Sequence, residues 1–262
     1  MIWNLERPKV VEQVHRSYLH AGAELIQTNT FGANRYTLDR HGTGGLVGEL
    51  NRAGVEIARR AAGEKAAVLG GLGSTGALLR PYGDEEPERL RQVFAEQIGH
   101  LVAAGVDGLI LETFFALEEL QEALRAAKEI ASVPIICTMA FDKGGRTVMG
   151  VGGEQAIRVL SADGADVVGA NCGSGPEDMF LALSQMRQTD GEAILMAQPN
   201  AGVPKVVEGR TVFDATPEEM AEWALRFVRI GVNIIGSCCG STNLHTAAIA
   251  RAVKGKPLGW QT

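Results

Sequence analysis

Short apolar runs alternate with amphipathic stretches from one end of the chain to the other. Seven runs stand out: Glu24 to Thr28, Ala66 to Gly71, Gly108 to Glu112, Pro134 to Ala140, Asp166 to Asn171, Ile194 to Gln198 and Asn233 to Ser237. They are mostly continuous in Val, Ile, Leu and Ala, the pattern of parallel strands buried on both faces. Between them the apolar residues recur at helical spacing over Pro8 to Ala21, Leu46 to Ala62, Glu86 to Ala104, Leu117 to Ile130, Gly153 to Ala162, Pro176 to Gln188, Pro217 to Ile230 and Thr242 to Val253. The punctuation agrees. Thr216-Pro-Glu-Glu supplies an N-cap, a first-turn proline and two acids near the helix N-terminus. The segments Ala104-Gly-Val-Asp, Asp163-Gly-Ala-Asp and Ile230-Gly-Val-Asn end helices at glycine and turn into the next strand.

This β/α alternation predicts an α/β fold, a (β/α)8 TIM-type barrel rather than a doubly wound sheet. The count is one strand short, with seven strands against eight helices, and the first element after Met1 is a helix. Either the chain starts after the barrel's first strand, or an unrecognised segment fills the gap, or the sheet is open. No linker or low-complexity segment interrupts the pattern, so one domain over residues 1–262 is expected.

Composition narrows the function classes. A net charge of −6 offers no basic face for nucleic acid or an anionic membrane. No apolar run approaches the ~20 residues that span a bilayer, and the N-terminus carries no signal-like segment, so a cytoplasmic protein is expected. Four cysteines, two of them adjacent, do not make a secreted disulfide framework; clustered thiols in a reducing compartment point to metal or catalysis.

The chemistry concentrates at strand ends. In this fold the C-terminal ends of the strands converge on one face and their loops build the site. Cys238-Cys239 follow the last strand between glycines, and Asn171-Cys172 end another strand just before Gly173. Three thiolates with one open position describe a zinc centre built for chemistry; three small buried apolar residues are the alternative. Cys137, inside Ile135-Ile-Cys-Thr-Met, is expected in the barrel wall or core. Glu112 closes an otherwise apolar strand and needs a cationic partner, either a ligand or a loop lysine or arginine. The loop Gly70-Gly-Leu-Gly-Ser-Thr-Gly76 is expected to line the site as a tight turn, with a phosphate cradle as the weaker alternative. The histidines carry no signal, and His245 is expected outside the metal shell.

At these residues the chain resembles the homocysteine S-methyltransferase family. The resemblance rests on Ala23-Glu-Leu-Ile-Gln-Thr-Asn-Thr-Phe-Gly-Ala33, Leu111-Glu-Thr-Phe114, Gly169-Ala-Asn-Cys-Gly173, Gln198-Pro-Asn-Ala-Gly202 and Gly236-Ser-Cys-Cys-Gly-Ser-Thr242, and runs in order through nearly the whole chain. It implies a (β/α)8 barrel in which Cys172, Cys238 and Cys239 bind Zn2+, with Asn200 a weak fourth ligand when substrate is absent. It further implies that Glu112 holds the homocysteine amino group and that Asn29, Thr30, Phe31 and Asn171 line the pocket. Ser237 stands where the family more often has glycine, and the family's first strand, with its Asp-Gly-Ala-x-Gly-Thr type segment, has no counterpart here.

The activity so implied is zinc-dependent transfer of a methyl group to the homocysteine thiol, giving methionine. No Asp-x-His-x-x-Gly corrinoid pattern is present, so methylcobalamin or a methylfolate-derived methyl would be supplied by a corrinoid- or folate-binding domain or chain. S-methylmethionine, betaine and S-adenosylmethionine are alternative donors. Two rival readings are a catalytically weak zinc and homocysteine-binding module of a longer methionine synthase-like protein, and a phosphate-handling barrel enzyme.

Overall fold

The computed structural model describes residues 1–254; the rest of the expected 1–262 unit, residues 255–262, lies outside the described residues. Two helices, α1 (Trp3–Glu6) and α2 (Pro8–His20), lead into β1 (Leu25–Gln27). After α3 (Arg35–Asp39) and a 3-10 turn at Gly44–Leu46, α4 (Val47–Ala62) returns the chain to β2 (Ala67–Gly73). Strict alternation follows: α5 (Pro87–Ala103), β3 (Gly108–Phe114), α6 (Leu117–Ile130), β4 (Ile135–Met139), α7 (Gly153–Ala162), β5 (Val167–Cys172), α8 (Pro176–Thr189) and β6 (Leu195–Pro199). A hairpin, β7 (Lys205–Val207) and β8 (Arg210–Val212), precedes α9 (Pro217–Arg229), β9 (Ile234–Ile235) and α10 (Asn243–Val253).

The sheet order is β1-β2-β3-β4-β5-β6-β9, every pair parallel, so the seven expected strands form one curled sheet of TIM-barrel type. Two apolar layers hold it. Inside, Leu69, Ile110, Ile136, Val167 and Met196 stack across β2 to β6. Outside, a larger layer built around Phe94, Leu109, Leu111, Phe114, Leu124, Leu160 and Leu183 fills the space between strands and helices. Cys137 belongs to that outer layer, as expected. The α9 start also behaves as its sequence predicts: Glu219 N–H donates to Thr216 Oγ1 at 3.2 Å and Thr216 N–H donates back to Glu219 Oε2 at 2.7 Å.

Among the described residues the sheet is open between β1 and β9, so no unrecognised segment fills the gap. Side-chain contacts reach across the gap, from β1 to β6 and from the end of α10 to the turn before β1. Gln27 Nε2 donates to Gln198 Oε1 at 3.2 Å inside the barrel, and Lys254 Nζ donates to Gly22 O at 2.8 Å outside it. No helix of the described residues is long and apolar enough to cross a membrane.

Three elements escape the periodicity reading. The hairpin is exposed on every residue, so burial imposes no alternation on its sequence; its signal is the Glu208-Gly209 turn, at φ +50° and +75°, between β-branched triplets. The helix α3 announces itself only through its N-cap, where Asn34 Oδ1 accepts from Thr37 N–H at 2.9 Å. With α1 it is too short to show a helical period.

Candidate metal centre

Cys172 ends β5 and Cys238-Cys239 follow β9, so the parallel sheet brings both motifs to its C-terminal mouth. The turn carrying the pair is stitched to the end of β6. Cys238 N–H donates to Pro199 O at 2.7 Å, Ala201 N–H to Cys239 O at 2.9 Å, and Cys239 N–H to Asn200 Oδ1 at 3.0 Å. Gly240 completes the turn at φ +80° with Phe213 packed so closely that a Cβ there would stand 2.3 Å from it, which only glycine avoids. His245 locks the next residues: its Nδ1 accepts from Thr242 N–H at 3.0 Å, which leaves the proton on Nε2 to donate to Ala215 O at 3.0 Å. It braces the turn from outside the thiol cluster.

The three Sγ atoms lie within 4.8 Å of one another, with Cys172 to Cys239 at 3.9 Å and Cys238 to Cys239 at 4.0 Å. A tetrahedral centre with metal–sulfur bonds of about 2.3 Å spaces its sulfurs about 3.8 Å apart, so the cluster is close to the spacing zinc needs. Its electrostatics point the same way. Hydrogen bonding from Cys238, together with the Gly173 backbone, pulls the Cys172 thiol down to about 6. The bond to Cys172 and burial push Cys238 up, and burial and the Cys172 charge push Cys239 up. The cluster alone therefore carries one negative charge, and a second and third thiolate require a cation among them.

Asn200 is buried and both ends of its amide are in use: Oδ1 accepts from Cys239 N–H, and Nδ2 donates to Gly173 O at 2.7 Å. It ties the two cysteine-bearing loops together directly behind the thiols. The residue expected as a weak fourth ligand thus lies beside the thiols and, in this structure, braces the loops that carry them.

Glu112 ends its apolar run facing the mouth, where a Cβ on Gly71 would stand 3.3 Å from Oε1. Burial, with the Cys172 charge nearby and no compensating cation among the described residues, raises its carboxyl to about 7. The alternative partner, a loop lysine or arginine, is absent among the described residues.

The residues after β1 form the adjoining wall. Thr30 is fully buried and its hydroxyl donates to Gly71 O at 2.7 Å, while Gly71 N–H donates to Thr28 Oγ1 at 3.0 Å. Asn29 Nδ2 donates to Asn4 Oδ1 at 2.9 Å, holding the loop against α1. Phe31 is 44% exposed and lies across Gly73, where a Cβ would meet its ring at 2.2 Å. Asn171 is fully buried and its amide is engaged inside the protein: Oδ1 accepts from Thr113 N–H and Thr138 Oγ1–H, both at 2.7 Å, and Nδ2 donates to Thr113 Oγ1 at 2.6 Å.

Sequence reasoning missed Glu119. From the first turn of α6 its carboxylate accepts from Ser74 Oγ–H at 2.6 Å, Thr75 N–H at 2.8 Å and Thr75 Oγ1–H at 2.7 Å. The glycine-rich loop thus presents its donors to the protein's own carboxylate, where a bound phosphate would otherwise sit. An acid at a helix N-terminus reads in sequence as an ordinary dipole partner, which conceals this role.

Comparison with known proteins agrees with this geometry. The chain is 30% identical over 264 residues to the methionine synthases of Mycobacterium tuberculosis (strain ATCC 25618 / H37Rv) and Mycobacterium leprae (strain TN); the match covers 96% of this chain and 22% of each synthase. It therefore spans about a fifth of those relatives' length. The metallated form of the homocysteine methyltransferase MmuM from Escherichia coli superposes with a TM-score of 0.80 at 20% identity, covering 95% of this chain and 86% of that one. The dihydrodipicolinate synthase DapA-2 from Bacillus anthracis reaches 0.56 at 10% identity over 92% and 66% of the two chains. These structural likenesses establish the barrel fold. The sequence model described as homocysteine S-methyltransferase matches residues 1–253, and the chain belongs to the homocysteine S-methyltransferase family.

Proposed function

We propose that this chain binds one zinc ion through Cys172, Cys238 and Cys239 and transfers a methyl group to the thiol of L-homocysteine, yielding methionine. The observation that carries the reading is a three-thiol cluster beside a half-buried carboxylate that has no cationic partner among the described residues. Zinc in such a site supplies thiol deprotonation at neutral pH, since a coordinating thiol loses its proton outright.

The protein's own residues do the rest. Cys172 is charged near neutral pH and presents one thiolate before any ligand arrives. Glu112 offers a carboxylate whose burial is relieved by a substrate ammonium, giving a charge-assisted hydrogen bond that orients the amino acid. The stretch from Thr28 to Phe31, stitched to Gly71, would form one wall of the homocysteine pocket. Holding donor and acceptor in a near-attack arrangement removes much of the entropic part of the barrier. The product is a neutral thioether, a poorer ligand than a thiolate, and it leaves.

The donor enters from the open side of the same mouth. Methylcobalamin carried by a separate corrinoid-binding domain or chain fits the relatives' greater length, with S-methylmethionine, betaine and S-adenosylmethionine as alternatives to be screened. Metal analysis coupled to a donor screen with homocysteine as acceptor tests the proposal. About one zinc per chain is expected, with loss of both metal and methyl transfer in Cys239→Ala. Full-rate transfer by metal-free protein overturns it.

A further inference from the structure

The β3–β4 pairing slips beside the site. Leu111 lies opposite Cys137 and Phe114 opposite Met139, so three steps along β3 match two along β4. The extra residue is a β-bulge, and Thr113 occupies it at φ +61°. A β-branched residue in the left-handed region is a genuine outlier that the surroundings must enforce.

The enforcement is visible. Asn171 accepts from Thr113 N–H at 2.7 Å and donates to Thr113 Oγ1 at 2.6 Å, clamping both polar groups of the residue. The same Asn171 Nδ2 approaches Cys238 Sγ at 3.9 Å. One buried amide thus joins the bulge to the thiol cluster.

The bulge changes what β3 presents. Ile110 points into the barrel with the inner layer, and by strand alternation Glu112 shares its face. Uninterrupted alternation would send Phe114 inward as well, filling the mouth with an aromatic ring. Instead Phe114 packs in the outer layer, its ring centroid 5.9 Å from that of Phe94. One inserted residue therefore keeps Glu112 on the inner face and turns Phe114 out of the mouth. Bulges next to active sites re-aim side chains in this way.

We propose that Thr113 is a positioning residue: Asn171 holds it in a strained left-handed bulge, and this aims Glu112 at the substrate's amino group at a fixed place relative to the Cys238 thiol. The inference rests on the homocysteine reading of the site given above.

Three variants test it: Thr113→Gly, which relieves the backbone and removes the hydroxyl; Thr113→Ser, which keeps the hydroxyl; and Thr113→Val, which keeps the shape without it. Homocysteine binding to the zinc-loaded protein is followed by calorimetry, kcat and KM by methyl transfer, and Tm by thermal melt. Thr113→Gly is expected to raise KM for homocysteine at least about tenfold, the cost of one weakened charge-assisted contact. Its kcat changes far less, and its Tm is equal to or higher than that of Thr113→Val, which loses the same hydrogen bond but keeps the strain. Thr113→Ser restores KM to within about twofold of wild type, and Thr113→Val resembles Thr113→Gly in KM. An unchanged KM in Thr113→Gly overturns the aiming role, and a Tm below that of Thr113→Val overturns the strain. If wild type itself binds no homocysteine, the methyltransferase reading fails, and the Tm comparison alone judges the enforced bulge.

Discussion

Replacing Glu112 by Gln changes how stability depends on pH, and the size of the effect follows from the site. In the metal-free folded protein, burial raises the carboxyl from 4.5 to about 7. Between those values the folded state holds a proton that the unfolded chain has released, so stability relative to the neutral variant falls as pH rises through that window and levels off above it. At about 1.36 kcal/mol per pH unit the full shift amounts to at most about 3.4 kcal/mol. About 2 kcal/mol of this falls between about pH 5.5 and pH 8. Urea unfolding of both proteins with a chelator present, at those two pH values, reads the difference directly. Glu112→Gln should gain about 2 kcal/mol on wild type as pH rises. A gap that stays constant to within about 0.5 kcal/mol, or one that shrinks, refutes the claim that Glu112 is a half-buried carboxylate awaiting a cation.

Other consequences follow from the same geometry. Because Cys172 is already ionised at neutral pH while Cys238 and Cys239 are not, zinc binding near pH 7 should release about two protons rather than three, measurable by calorimetry in buffers of different ionisation enthalpy. Asn200→Ala removes the brace between the two cysteine loops and should weaken zinc affinity about 10- to 100-fold in chelator competition; unchanged affinity contradicts its bracing role. Ile110→Ala opens a void in the inner layer and should cost about 2–5 kcal/mol in urea unfolding, whereas Val206→Ala on the hairpin, 79% exposed, should stay within about 0.5 kcal/mol.

Much of this was legible in the residues because the fold imposes period and punctuation. Parallel strands buried on both faces leave near-continuous apolar runs, and the glycines around Cys172 and Cys238-Cys239 mark where those runs break at the sheet's C-terminal edge. A charge at the end of such a run, as at Glu112, is visible for the same reason. The missing pieces leave no periodic trace. Leu111-Glu-Thr-Phe114 reads as ordinary alternation, and nothing in it shows that one residue is extra to the pairing. Asn171 reads as a pocket residue, and nothing in the sequence shows that its amide also clamps Thr113 and Thr138. Glu119 sits 45 residues from Ser74, and only the folded chain brings its carboxylate to the loop. The hairpin, exposed throughout, has no core to pattern its sequence.

The central claim, that three cysteine thiolates hold a zinc which a substrate thiol then joins, is tested most directly by zinc K-edge X-ray absorption on zinc-loaded protein with and without L-homocysteine. The account predicts about three sulfur scatterers near 2.3 Å in the free protein and about four when homocysteine is bound. A sulfur count that does not rise with homocysteine, or fewer than three sulfurs in the free protein, contradicts it.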